Sequence, residues 1–487
     1  MSLSTPERTS RKSSTPSSSP DTALQVSILH RGHLIHISGS PNIRDAAAHL
    51  MSIEDGVLAV NDAGVIVYSG CYQDLPLIAG SPQVLDHRPA FLIPGFVDTH
   101  IHFPQTFAVD SYGGGELLEW LDNCIFPAET RLQDEQCAHT VAAAFCRRRI
   151  AVGTTTAMVF GSPFPAAQDA LFEESVRTGL RTVSGRGIQT VGPPSARGLI
   201  TTEKAALELT SAEIDRWHGD QLTQVAVVPR FALSVTPRTL AALGELYEEV
   251  RGRGVYFHSH LSENNRPGTG EVAMTLATFG VEQYLDTYDG RFLPGSAVGG
   301  RSLLGRRSIL AHAVHCTDRE LDRLAETSTS ISHCPTSQQF LGSGTMPWRR
   351  TVEHGVTISL GSDIGAGDEW LMSRVANDCF KVHQSEPGTA SVSIHPAELL
   401  FTATLAGARA LDMEKLIGNL DAGKDADFLV IDPRRHPPLD ERLRHGHNAD
   451  EPETATAQIL FALMMGLRES AITEVYVKGR NLNDQLG

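Results

Sequence analysis

At 487 residues the chain exceeds what one hydrophobic core can organise, since such cores stop growing near ~250–300 residues, and it leaves room for a large catalytic domain with a smaller companion. Its 41% hydrophobic and 20% charged residues are those of a globular protein, and 57 acidic against 41 basic residues give a net charge of −16, which argues against nucleic acid as a partner. No apolar run approaches the ~20 residues that would cross a bilayer, and seven cysteines without a Cys-x-x-Cys pair argue against a disulfide framework or a thiolate zinc cluster and for a reducing, cytoplasmic setting.

In chain order, residues 1–22 contain TSRKSSTPSSSP and almost no aliphatic side chains, so they cannot offset the entropy of ordering and read as a disordered tail. A basic, Ser-rich transit peptide is the second reading. Residues 23–92 alternate short apolar runs, QVSILHRGHLIHIS and DGVLAVNDAGVIVYSG, with Gly, Asp and Asn turn signals, which predicts the first part of a small β domain. Residues 93–415 alternate strand-like runs with helix-periodic segments: TLAALGELYEEVRGRG leads into VYFHSH, and TDRELDRLAETS leads into TSISHCP. Further strands are expected at GTTTAMVF, TQVAVVPRF, RSILAHAVH and VTISLGSD, so the α/β texture predicts a (β/α)8 TIM-like barrel. Residues 416–487 return to short β runs around a Pro/Arg/His-rich segment, 432–453, read as a loop. The two chain ends are expected to pair into one composite β-sandwich domain.

The strand FLIPGFVDTHIHFPQ ends in His-x-His. Side chains alternate at period two, so Asp98, His100 and His102 face one side, and two imidazoles at a barrel strand's C-terminal end can supply half of a tetrahedral zinc shell. The pair His445/His447, in the polar run RHGHNAD, has no strand before it and is assigned to solvent. In VYFHSHLSEN, His258 and His260 share a side and Glu263 follows three residues later, a ligand-plus-proton-shuttle arrangement suited to zinc hydrolysis. His312 in ILAHAVH, His333 in ISHCP and Asp363 in ISLGSD also end apolar runs. One such histidine is more often a hydrogen-bonded strand terminus; the ordered series points to catalysis.

Together, PGFVDTHIHFPQ, LLEWLDNCIFPAETR, VVPRFALSV, SHLSEN, LAHAVHC, ISHCPTSQ and SLGSDIGAG resemble the amidohydrolase superfamily, and in detail its guanine-deaminating branch, over roughly residues 93–432. The resemblance implies a metal held by His100, His102, His260 and Asp363, with His312 orienting the activated water, Glu263 shuttling protons and Asp363 accepting the water proton. Two-metal members carry a carboxylated lysine on the fourth strand; QVAVVPRFALS has none, which favours one Zn2+ per chain. The resemblance further implies that Gln105, Arg230, the backbone at Phe231 and His333 contact a purine. Trp120, in GGELLEWLDNCIFPAETR, either lids the pocket or belongs to an amphipathic helix packed on the barrel. The implied activity is hydrolytic deamination of guanine to xanthine and ammonia by a homodimer acting on a small molecule. A deaminase or chlorohydrolase acting on an oxidised guanine, a pterin or a triazine is the alternative within the same chemistry. A scaffold derived from the fold and a carbohydrate-active barrel are the rivals outside it. His258 and the enlarged segments 265–270 and 286–304 depart from the family pattern near the expected active face.

Overall fold

The structure is a computed structural model that describes residues 23–112, 116–219, 222–267, 270–293, 301–386, 393–446 and 451–485. The Ser/Thr/Pro-rich segment 1–22 and His447 lie outside these residues, as do parts of the two enlarged segments.

The first chain end supplies β1 (Leu24–Gln25), β2 (Ile28–Ile37), β3 (Leu50–Val60), β4 (Ile66–Cys71), β5 (Ile78–Ala79) and β6 (Gln83–Pro94). The barrel strands are β7 (Phe96–His102), β8 (Thr154–Phe160), β9 (Arg181–Gly185), the short β10 (Gly187–Ile188), β11 (Thr223–Pro229), β12 (Tyr256–Leu261), β13 (Ser308–His312), β14 (Ser330–His333) and β15 (Ile358–Leu360). The other chain end adds β16 (Phe428–Ile431), β17 (Ile472–Val477) and β18 (Arg480–Asn481).

Eight of the barrel strands lie side by side in the order β7-β8-β9-β11-β12-β13-β14-β15, every pairing parallel, with β10 beside β11. Sequence patterning missed β9, whose run RTVSG is short, polar and bounded by Gly179 and Gly187. Arg181 can be buried there because Asp427 lies 2.8 Å from its Nε and Asp425 also pairs with it, tying the barrel to the second chain end. The ring closes between β15 and β7. Beyond β15, the Asp363 N–H donates to His100 O at 2.8 Å, and the His102 N–H donates to Ile364 O at 3.0 Å. Thr99 Oγ1, in the same seam, lies 2.7 Å from Ser332 Oγ and donates to Leu360 O at 2.9 Å. Close approach there requires Gly361: a Cβ on it would lie 2.5 Å from Ser332 Oγ and 2.8 Å from His100 Cβ.

Strands covered on both faces must be apolar or internally bonded, and every residue of β8 is buried. Val97, Met158, Phe160, Val183, Val228, Tyr256 and Ile309 pack together from successive strands against Ala408, Leu411 and Ile417, so the barrel is filled at this level. The chain ends pair as expected in one seven-stranded sheet, β18-β17-β16-β6-β2-β3-β4. The β1/β5 ribbon packs on it through Val26 and Ile78 against Leu29, Val57 and Ala59. The expected loop at 432–453 is corrected: Pro437–His445 and Pro452–Gly466 are helices. Prolines that read as breakers sit in their first turns, where no intrahelical N–H is needed, and Leu439 buries against the core. His445 lies exposed on the first of them.

Candidate active site

The strand ends of β7, β12 and β13 and the turn after β15 bring His100, His102, His260, Glu263, His312 and Asp363 together. His100 Nε2 lies 3.1 Å and His102 Nε2 3.2 Å from Asp363 Oδ1. The His102 and His100 Nε2 atoms are 3.2 Å apart, and His260 Nε2 is 3.3 Å from that of His102. Donor atoms of His100, His260, His312 and Asp363 all lie within 4.8 Å of one another.

Hydrogen bonding on the outer side of two imidazoles fixes what their inner sides present. His258 Nδ1 is 2.8 Å from Ile309 O, a group that can only accept, so His258 Nδ1 carries the hydrogen and its Nε2 is an acceptor. His100 Nδ1, 2.8 Å from that Nε2, must therefore donate, and His100 turns an Nε2 lone pair inward. His260 Nδ1 likewise donates to Arg230 O at 2.5 Å. Lone pairs and a carboxylate oxygen this close repel unless a cation sits among them. A tetrahedral ion with metal–nitrogen distances of about 2.0–2.1 Å separates its donors by about 3.3–3.4 Å, close to the spacing found. The residues therefore fit a metal of the zinc type. Metal binding needs imidazoles in their neutral form, and the surroundings supply it. Burial, reinforced by the neighbouring histidines, lowers His260 well below the usual value, and burial lowers His102 to about 4 and His312 to about 3. Both ring nitrogens of the buried His312 lack a hydrogen-bond partner among the described residues, and its Nε2 lies 3.4 Å from Glu263 Oε2 and 3.8 Å from Asp363 Oδ2. Burial, then the charges of Asp363 and Glu271, push Glu263 well above the usual carboxyl value.

Backbone strain accompanies this convergence. Ser262, His312 and Asp363 have φ of 47°, 76° and 51°, left-handed values that cost an L residue roughly 1–2 kcal/mol each. Asp98, on the same side of β7 as the histidines, instead serves the seam, accepting from the Ser362 hydroxyl at 2.5 Å and from the Ser362 and His100 N–H groups at 3.1 Å. Burial, against those bonds, raises its carboxyl to about 6.

A cavity opens over the cluster, lined by His102, His260, Glu263, Glu271 and Asp363 together with Gln105, Trp120, Arg230 and Phe231. Trp120 belongs to a helical stretch, Leu117–Thr130, whose middle turn, Leu121–Ile125, is π-helical. Its ring is buried, so it is both wall and packing. The Phe231 N–H is taken by Ser234 Oγ at 3.0 Å, and Phe231 O accepts from the same hydroxyl at 2.7 Å, so this backbone is engaged internally at a residue that lines the cavity. His333 is brought to the active end of the barrel but does not line the cavity; its Nε2 lies 3.1 Å from His383 Nε2.

Two acids missed from the sequence, Glu129 and Glu271, organise the site, beside Asp98, whose role at the seam was not foreseen. Glu129 accepts from Gln105 Nε2 at 2.8 Å and from Arg230 at 2.5 Å, while Gln105 Oε1 accepts from the Gly365 N–H at 2.9 Å. The Gln105 amide is thereby oriented and the Arg230 charge matched. Glu271 accepts from the N–H groups of Glu263 and Asn264, at 3.0 and 3.3 Å, and from the Tyr284 hydroxyl, which holds the Glu263 turn. Glu129 and Glu271 have no strand-end signature. Asp98 had one, but its partner Ser362 is 264 residues away.

A family described as the amidohydrolase family matches residues 91–482. The chain is 38% identical to a probable guanine deaminase of Deinococcus radiodurans over 445 residues, 90% of this chain and 95% of that one. To the guanine deaminase of Escherichia coli it is 33% identical over 452 residues, 92% and 96% of the two chains. A solved structure of the E. coli guanine deaminase superposes with a TM-score of 0.83, covering 94% of this chain and 99% of that one at 32% identity.

Proposed function

The chain belongs to the amidohydrolase family, and from that premise we propose that it hydrolyses guanine to xanthine and ammonia, using one Zn2+ per chain in the active site. The inward-facing donors of His100, His102, His260 and Asp363 support the metal assignment, and the absence of lysine from QVAVVPRFALS supports a single ion. Such an ion would supply the Lewis acidity that lowers the pKa of water and makes it a nucleophile near neutral pH.

The remaining work falls to side chains. Gln105 and Arg230, fixed by Glu129, present an amide and a guanidinium to the carbonyl- and nitrogen-bearing edge of the base. Phe231, Trp120 and Leu121 supply apolar walls that exclude water from its faces. Glu263, beside His312 at the cavity floor, donates a proton to the ring nitrogen next to the reacting carbon and then to the departing amine. Asp363 receives the proton of the attacking water, and His312 holds its oxygen. One C–O bond forms and one C–N bond breaks; of the water's two protons, passed from Asp363 and Glu263, one finishes on the ring nitrogen and the other on ammonia.

The observation that carries guanine over other amino-substituted heterocycles is the Gln105–Glu129–Arg230 edge facing the metal-ligand cluster across one cavity. A net charge of −16 supports a small purine over nucleic acid. The test is ammonia release from guanine, adenine, cytosine, 8-oxoguanine and pterins, each with and without a chelator. Guanine is expected to be the preferred substrate and chelation to abolish turnover. Preference for another base would overturn the substrate, and undiminished turnover by metal-free protein would overturn the zinc chemistry.

A further inference from the structure

Behind the catalytic cavity, the helix Met372–Gln384 lays Cys379 and His383, one turn apart, against the end of β14, and both are fully buried. With His333 they form a second group whose donor atoms all lie within 4.8 Å of one another. His383 Nδ1 lies 3.1 Å from Glu386 Oε2, which accepts its hydrogen, so the His383 Nε2 lone pair points at His333 Nε2, 3.1 Å away. A carboxylate behind an imidazole in this way is the usual outer support of a metal-bound histidine. Among the described residues the buried His333 Nδ1 has no partner in either tautomer; with the hydrogen on Nε2 the two rings share a direct hydrogen bond. With the hydrogen on Nδ1 instead, two lone pairs face one another and require a cation.

We propose that His333, Cys379 and His383 bind a second metal ion, a soft or borderline cation of the Zn2+ class, in a site separate from the active site and structural in role. The thiolate and two imidazoles match the ligand preference of such ions, and about 3.3 Å between zinc-bound nitrogens is near the 3.1 Å found here. On binding, the Cys379 S–H bond is replaced by a metal–sulfur bond and the proton passes to solvent. The ion joins β14 to the helix that follows the Asp363 turn. His333 then serves this joint and not the purine, whose cavity it does not line.

Among the described residues no cysteine lines the active-site cavity or belongs to its metal-ligand group, so a thiolate-to-metal signal reports this second site. The experiment is metal analysis of the full-length protein after Zn2+ loading, together with the absorption spectrum after replacement by Co2+. Two metal equivalents per chain and a sulfur-to-cobalt charge-transfer band in the near ultraviolet are expected. Cys379→Ser should lose the band, and both Cys379→Ser and His383→Gln should fall to one equivalent. One equivalent and no band in the wild type would overturn the proposal, and so would a band that persists in Cys379→Ser. The wild-type spectrum decides the matter even if a variant fails to accumulate. Failure of guanine turnover leaves this outcome untouched, so the two proposals fall separately.

Discussion

Replacing Glu129 by Gln tests how the base-facing edge is held. The carboxylate is 3% exposed, Arg230 is 5% exposed, and each carboxylate oxygen takes one bond, from Gln105 at 2.8 Å and from Arg230 at 2.5 Å. An amide of the same shape keeps one acceptor oxygen and offers an NH2 where an acceptor was, so either Gln105 or Arg230 faces a donor. A charge-assisted hydrogen bond is worth about 1.5–3 kcal/mol, which corresponds to a loss of about 10- to 150-fold in kcat/KM for guanine. Because Glu129 touches no metal ligand, metal content should stay at the wild-type level, and the loss should fall mainly on KM through a poorly ordered Gln105 and Arg230. Glu129→Ala should cost more, because it leaves a buried guanidinium unpaired, about 3–5 kcal/mol in stability as well. Steady-state kinetics beside metal analysis make the measurement. Wild-type kcat/KM in Glu129→Gln would refute the reasoning, as would a loss that merely tracks metal depletion.

The other predictions concern the proton carrier, the seam and one buried lysine. Glu263→Gln should keep its metal and lose about 10²–10⁴-fold in kcat, and a metal-loaded variant turning over at the native rate would remove Glu263 from the chemistry. Gly361→Ala forces a methyl within 2.8 Å of His100 Cβ, so a stability loss of about 1–3 kcal/mol and a lower metal occupancy are expected from denaturant melts and metal analysis. Unchanged values of both would mean the seam tolerates the methyl. Burial, opposed in part by Asp421 and Glu414, lowers Lys424 from 10.5 to about 8, so the folded state holds fewer protons than the unfolded chain between those values. The lysine's penalty on folding is therefore full below about pH 8 and fades as pH rises toward 10.5. The stability advantage of Lys424→Met over wild type should shrink across that window in urea melts; a constant difference would contradict the assignment.

How much the sequence reveals follows from the range of each interaction. His100 and His102 are legible because alternation in one strand already places them on one side, and His260 with Glu263 because three residues separate them. Glu129 is not, because its partners lie 24 and 101 residues away and its own segment reads as an amphipathic helix. His258 could be seen to share a side with His260, but its work, orienting His100 from 158 residues away, exists only once two barrel strands face each other across the lumen. The strand at Arg181 was hidden for a related reason: a charged residue makes sense inside a barrel only when Asp425 and Asp427 arrive from the far end of the chain. Local periodicity thus predicts which strands exist and which residues end them, while the pairing of distant acids with distant bases waits on the fold.

The seam between β15 and β7 bears on synthesis. His100 leaves the ribosome long before Asp363, and the two meet only through the last closure of the ring. A nascent chain arrested before that point holds two histidines on one strand and two more across an open sheet, a donor set short of its carboxylate. On the proposed assignment, an ion held by all four donors would complete its ligand set only as the ring closes, and would stabilise finished barrels without rewarding partial ones. Added during refolding, it should leave early collapse unchanged and slow the final unfolding of the closed form.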